Sequence, residues 1–213
     1  MRNVVLCFLG CALFIACTQK KAIEKDTQLK IPTENMWVDT TNSTFKKWKN
    51  YYQSEVDSTF NVNKFEFSSE DSLHIIPSNI LATFDSAYNN VYSPFLIYNS
   101  SKTKYIDLDS YQWSLHPVTN EVVWEADQEI NLVDLIDKNV SRIGFLGPSF
   151  TVEDAFWQND SIVILLQNSY DRVPSIQKIN IKSAKKFNYI YTDTLVKSSQ
   201  YQKLRIHQLL KNE

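Results

Sequence analysis

The chain has 213 residues, 43% of them hydrophobic and 13% aromatic, enough apolar material to bury a core and too much for a disordered chain. Its 22 basic and 24 acidic residues leave a net charge of −2, which provides no field for nucleic acid or anionic lipid. Its three glycines, Gly10, Gly144 and Gly147, form no phosphate-cradling loop, no G-x-G-x-x-G and no G-x-S-x-G elbow, so nucleotide-binding folds and α/β-hydrolases are excluded.

The N-terminus carries an apolar run of 13 residues from Val4 to Ala16, preceded by Arg2 and followed by the polar stretch that opens Thr18-Gln-Lys-Lys21. A spanning helix needs ~20 apolar residues, so the run reads as a signal-peptide core. Phe14-Ile15-Ala16-Cys17 resembles the lipobox of bacterial lipoproteins, with Phe14 where Leu is usual. A second candidate box, Phe8-Leu-Gly-Cys11, has too short an apolar core. The resemblance implies removal of residues 1–16, a diacylglycerol on the sulfur of Cys17 and acylation of the new amine. Each buried methylene contributes ~0.8 kcal/mol, so two or three acyl chains make a nearly permanent anchor.

All three cysteines, Cys7, Cys11 and Cys17, lie in this segment. The processed chain then has no disulfide, thiolate ligand or cysteine nucleophile. Residue 18 is Thr rather than Asp, and no acidic run follows Cys17. By resemblance this places the protein in the bacterial cell envelope, lipid-anchored on the periplasmic face of the outer membrane. Residues 17–35 read as the lipidated Cys and a flexible tether whose mean span is ~20–25 Å. Residues 36–213 read as one β-rich domain.

Asn42-Ser-Thr-Phe-Lys-Lys-Trp-Lys-Asn-Tyr-Tyr52 predicts a helix capped by Asn42 or Ser43, with Phe45, Trp48 and Tyr52 on one face and lysines toward water. Pro77–Tyr88 predicts a second short helix, from apolar residues at 80, 81, 84, 87 and 88. After Tyr92 short β-rich runs follow at 95–98, 104–108, 111–115, 121–125, 130–135, 141–146, 152–157, 161–166, 175–181 and 187–192. Strands recurring every ~8–12 residues between turn residues predict an antiparallel all-β body. Residues 198–213 read as a final helix, with a strand over 203–209 as the alternative.

Ile130–Leu135 leading to Ser141–Leu146 is echoed by Ile176–Ile181 leading to Lys186–Tyr191. With two strands upstream of each pair, the repeat predicts two four-stranded, blade-like units over about 93–146 and 150–192. The first carries an extra hairpin at His116-Pro117. Four consecutive strands resemble a β-propeller blade, but closure needs at least four blades. The expected class is mostly β, with antiparallel blade-like or sandwich sheets and a small helical N-terminal part. Gly144-Phe-Leu-Gly-Pro148 reads as a sharp connection between the sheets.

Chemistry is sparse. His74, His116 and His207 are widely separated and give no zinc pattern, and neither catalytic residues nor a metal or other cofactor is expected. Two acidic-aromatic clusters are candidate binding residues: Asp107 and Asp109 with Trp113, and Glu153 and Asp154 with Trp157. Alternation places Asp107 and Asp109 on one strand face. The four carboxylates read as a solvated face in which Asn or Gln shifts stability by less than ~0.5 kcal/mol. If they converged, they would suit Ca²⁺ or glycosidase-type acid–base work. Glu125–Glu129 reads as a solvated loop. The five tryptophans, at 37, 48, 113, 124 and 157, read mainly as core, with Trp113 and Trp124 opposed across the Pro117 turn.

Together with the lipobox and tether, Tyr105-Ile-Asp-Leu-Asp-Ser-Tyr111 and Val152-Glu-Asp-Ala-Phe-Trp157 give the chain a resemblance to envelope lipoproteins of the Bacteroidota, which implies no particular reaction. The leading expectation is a non-enzymatic binding module contacting the membrane through its lipid, and another envelope protein or a glycan through its domain. The rival is a carboxylate- or metal-dependent hydrolase of envelope glycans. Intact mass spectrometry of membrane-extracted protein checks the anchor: the mature chain should begin at an acylated Cys17, and Cys17→Ser should leave the membrane fraction. A mature N-terminus elsewhere refutes the lipobox assignment.

Overall fold

The computed structural model describes residues 38–80, 83, 84 and 90–211. The Cys17 segment, the tether, Trp37 and half of the expected 77–88 helix lie outside these residues. In chain order the elements are α1 (Ser43–Tyr51), β1 (Phe65–Ser72), β2 (Ile76–Ser78), β3 (Ile97–Tyr98), β4 (Lys104–Asp107), β5 (Trp113–Leu115), β6 (Val122–Trp124), β7 (Gln128–Asp134), β8 (Asn139–Leu146), β9 (Phe150–Asn159), β10 (Ile162–Ser169), β11 (Pro174–Asn180), β12 (Lys185–Tyr191) and α2 (Tyr201–Leu210). Among these residues no helix is long and apolar enough to cross a membrane.

The protein is mostly β, and its ladders are antiparallel. Two five-stranded sheets run in the orders β2-β8-β7-β4-β3 and β1-β12-β11-β10-β9, and β5 and β6 form a separate hairpin. Both sheets share one wiring. A four-strand meander is extended at its last strand by a strand from earlier in the chain. The hairpin expected at His116-Pro117 interrupts the first meander between β4 and β7. β1 and β2 were not legible as strands. Phe65–Ser72 is polar, pairs only with β12 and is exposed along most of its length. Ile76–Ser78 replaces the start of the expected helix by pairing with β8.

The sheets face each other across Ile106, Leu108, Ile130 and Ile143 on one side and Val152, Ala155, Trp157, Val163, Leu165 and Ile179 on the other. The outer face of the second sheet presents Phe156, Ile164, Leu166, Ile176, Tyr189 and Tyr191 to α1. β10 is therefore covered on both faces. This explains its continuous apolar run Ile162–Leu166, since alternation is needed only where one face meets water. Burying each such side chain contributes roughly 1.5–3 kcal/mol.

α1 follows its sequence signals. Asn42 Oδ1 accepts from Thr44 N at 2.9 Å, and Phe45, Trp48 and Tyr52 all reach zero exposure. Its end widens into a π-turn over Tyr52–Val56, where Asp57 N donates to Tyr52 O at 2.8 Å. α2 packs Ile206 against Trp113, Tyr92 and Phe95, so the β5–β6 hairpin and the C-terminal helix share one apolar cluster. Trp113 and Trp124 are register partners as expected, but the Trp113 ring contacts Tyr92 and Phe95.

The hairpin turns close on left-handed residues without glycine: Lys102, Asn120, Lys138, Arg172 and Ala184 have φ between 49° and 62°. Of these, Asn is the side chain suited to that region, and the others each cost roughly 1–2 kcal/mol.

The reading of Gly144–Pro148 as a connection needs correction. Gly144 lies within β8, beside a bulge at Ile143 that shifts the β7–β8 register, and only residues after Leu146 turn toward β9. A Cβ on Gly144 would meet Ile130 Cδ1 at 2.6 Å. Gly144→Ala should therefore lower stability by about 1–3 kcal/mol through overpacking. Ile130→Val removes the clashing atom, so in chemical denaturation the double variant should lose less than the sum of the two singles. Simple additivity would show that this contact does not set the need for glycine.

Candidate functional site

The site is built on a one-residue irregularity in an edge strand. Leu166 pairs with Asp154, but Gln167 pairs with Val152, so Glu153 is the extra residue of a β-bulge. Plain alternation sends neighbouring side chains to opposite faces. The bulge instead turns Glu153 and Asp154 to the same side, toward α1 and α2, while Val152 and Ala155 both point into the inter-sheet core.

Glu153 is 3% exposed. Its Oε2 accepts from Trp48 Nε1 at 2.7 Å and from the Tyr52 hydroxyl at 2.6 Å, tying α1 to β9. Burial pushes its carboxyl upward against the opposing pull of its hydrogen bonds from Ser199, Tyr52 and Trp48. Burial, reinforced by the nearby Glu153 carboxylate, pushes the Tyr52 hydroxyl well above its ordinary value.

Asp154 Oδ1 accepts from Ala155 N at 2.8 Å, and Oδ2 accepts from the Tyr201 hydroxyl at 3.0 Å. Its carboxyl is raised by burial, although Arg205 opposes this. Asp107 is also raised by burial, against hydrogen bonds from Ser110 and the Asp109 amide at 2.5–3.0 Å. Asp109 is fully buried. It takes a two-pronged ion pair from Arg205, Nη1 to Oδ2 at 3.0 Å and Nη2 to Oδ1 at 2.8 Å. Trp113 Nε1 adds a bond to Oδ1 at 3.2 Å. Arg205 also donates from Nε to the carbonyl of Glu153 at 3.0 Å. Burial alone would lower the Arg205 pKa, but Asp109 and Asp154 outweigh it and hold the guanidinium charged.

The solvated-face reading of Asp107, Asp109, Glu153 and Asp154 is therefore wrong. The acids are buried or nearly so, and Asp109, Glu153 and Asp154 gather around one arginine on α2. Sequence reading missed Arg205, Tyr201 and Ser199. The available signal was a basic residue at helical spacing from Tyr201 and Leu209, on the face that also carries Ile206. It also missed Gln128. That side chain donates to the carbonyls of Leu108 and Val152 and accepts from Val152 N at 2.8 Å, stitching the two sheets together. The supposed loop 125–129 thus runs into β7 with Gln128 buried, and the partly buried Glu129 pairs with Arg142 at 2.9 Å.

Trp113 is 1% exposed and cannot serve as a binding platform. Trp157 is 8% exposed and donates Nε1 to the carbonyl of Ile97 at 2.8 Å, bridging the edge strands of the two sheets. His116 Nδ1 lies 3.2 Å from Thr119 N within its own hairpin, while His74 and His207 are exposed. Among the described residues no three His, Cys, Asp or Glu side chains are grouped to hold a metal ion.

Above this cluster lies a cleft of about 870 Å³. Lys47 and Tyr51 of α1 form one wall and Leu204 and Arg205 of α2 another. Phe95 and Tyr98 close a third side, and Asp154, Phe156 and Trp157 of β9 form the floor. Of the four candidate carboxylates, Asp154 is the one lining this cleft. No known protein family matches the chain, and neither a curated protein nor a solved structure matches it.

The raised carboxyls set a pH dependence. In the folded state Asp107, Glu153 and Asp154 hold protons at pH values where the unfolded chain has released them. Their contribution to stability is full below the ordinary carboxylate range of about 4 and is lost as pH rises through the folded values. Glu153→Gln keeps an acceptor for Trp48 and Tyr52 but cannot ionise. Its unfolding free energy relative to wild type, measured from pH 4 to pH 8, should improve steadily with pH. Glu153→Ala should instead cost roughly 3 kcal/mol or more, since two buried donors lose their acceptor. A Glu153→Gln difference that is flat in pH would overturn the buried-acid assignment.

Proposed function

We propose that this protein is a lipid-anchored binding module of the bacterial envelope, held on the periplasmic face of the outer membrane by Cys17. The cleft between α1, β9 and α2 receives a segment of another envelope protein. The observation that carries the binding reading is the saturation of the candidate acids. The carboxylates of Asp107, Asp109, Glu153 and Asp154 are engaged by Ser110, Trp113, Arg205, Trp48, Tyr52 and Tyr201. An acid–base pair must exchange protons with a substrate, and groups committed to internal donors that position two helices are poorly suited to that role.

The cleft offers what a polypeptide segment needs. Its rim carries the half-exposed Tyr98 and Leu204, its floor is aromatic, and Lys47, Arg205 and Asp154 supply polar contacts. The anchor part of the proposal rests on the Val4–Cys17 segment.

Site-specific photo-crosslinking in intact cells tests it. A photoreactive residue at Tyr98 or Leu204 should give an adduct of defined mass with one envelope protein. The same residue at Ile136, an exposed position in the β7–β8 turn, should not. Equal labelling from all three positions, or none from the cleft, would sink the cleft assignment.

A further inference from the structure

Val38, the first described residue, sits at the foot of α1. It is 3% exposed and packs in the cluster that holds Phe45, Trp48 and Phe156. Asp39 N donates to Gln158 Oε1 at 3.3 Å and Asn42 N to Asp39 O at 3.4 Å, so a short turn carries the chain from Val38 into the helix. Residues 18–37 separate this point from Cys17. A coil of that length spans ~25 Å, and a fully extended chain no more than ~70 Å. Of the described elements, α1 therefore lies nearest to Cys17 along the chain.

The two faces of α1 are unlike. Phe45 and Trp48 are buried against the second sheet. The opposite face carries the exposed Lys46 and Lys47, with the exposed Ser43 one turn earlier and the half-exposed Lys49 at the flank. The helix Ser43–Tyr51 holds these three bases and no acid. Among the described residues none of the three makes an ion pair. Asp39 is the acid whose charge reaches Lys46. Its Oδ1 is already occupied, accepting from Thr41 N at 2.9 Å and from the Thr41 hydroxyl at 2.6 Å. The acids behind the net charge of −2 lie elsewhere, and β1 alone carries Glu66, Glu70 and Asp71 with no base.

An unpaired basic face beside the point where the tether enters fits an anionic surface that the tether itself keeps close. We propose that α1 docks through Lys46, Lys47 and Lys49 onto the anionic phospholipid surface of the membrane that carries Cys17. This docking rests on the anchored-module reading and adds an orientation to it. Each lysine near an anionic leaflet strengthens association about fivefold, so the three together supply on the order of 100-fold. That is too little to hold a free domain of net negative charge. A domain kept within ~25 Å of the surface meets it at an effective concentration in the millimolar range, which makes weak docking sufficient.

The test uses the mature acylated chain in vesicles of phosphatidylcholine, alone or mixed with phosphatidylglycerol. A fluorophore is placed through Ser43→Cys, on the lysine face and outside the cleft, and is quenched by nitroxide-headgroup lipid. Quenching should be strong in the anionic vesicles and weak in the neutral ones. It should vanish in ~1 M salt, where the screening length falls to ~3 Å. Lys46→Gln/Lys49→Gln should lower the docked-to-free ratio about 25-fold, two lysines' worth. Both are surface side chains and neither lines the cleft, so the fold and the cleft are kept. The same fluorophore at Ile136→Cys, in the β7–β8 turn, should be quenched equally in both vesicles. Flotation of the same samples reads the anchor separately. A chain that floats with neither vesicle refutes the anchor and the docking with it. Flotation with both refutes the docking alone if Ser43 quenching is the same in neutral and anionic vesicles, or indifferent to the double variant.

Discussion

The two-pronged pair between Arg205 and Asp109 fixes the architecture at the functional end of the molecule. Asp109 sits in the turn that leaves β4, and Arg205 is on the last helix, almost 100 residues later. The same guanidinium reaches the carbonyl of Glu153 at 3.0 Å, so one side chain joins the first sheet, the second sheet and α2. A buried pair of this kind adds little net stability, because desolvation offsets the attraction, yet removing one partner costs about 3–5 kcal/mol. Its main effect is positional. Nearby Asp154 adds to the attraction, and α2 lies where the Arg205 guanidinium can face both acids.

The bulge at Glu153 is the second constraint. It lets two consecutive residues serve two helices, Glu153 holding α1 and Asp154 holding α2. The cleft lies between these helices, which are pinned to the same short stretch of β9 and meet where the Tyr51 ring packs edge-on against Tyr201.

Most of the scaffold was legible in the sequence, and the reason differs by element. α1 and the ten strands after Tyr92 announce themselves through periodicity, caps and turn residues. β1 does not, since Phe65–Ser72 is an edge strand with seven of its eight residues at least partly exposed, and solvated strands carry little hydrophobic pattern. The acids were misread for a different reason. Carboxylates are mostly surface groups, and nothing local to 107–109 or 153–154 reveals that an arginine at 205 will meet them. Nor does any local signal show a bulge, which depends on the partner strand's register. Gln128 was hidden in the same way, because its bonds run to two strands distant in sequence.

The shared wiring of the two sheets has a consequence for how the chain assembles. Each sheet is completed by a strand synthesised before its meander: β2 must wait for β8, and β1, whose Phe65 pairs with Tyr191, must wait for β12. Pairing across such separations is entropically slow. β2 therefore stays unpaired until β8 has emerged, and β1 until nearly the whole chain has. A fold of this kind has a natural delay built into its topology: the meanders can form early, but neither sheet can be sealed until its latecomer arrives.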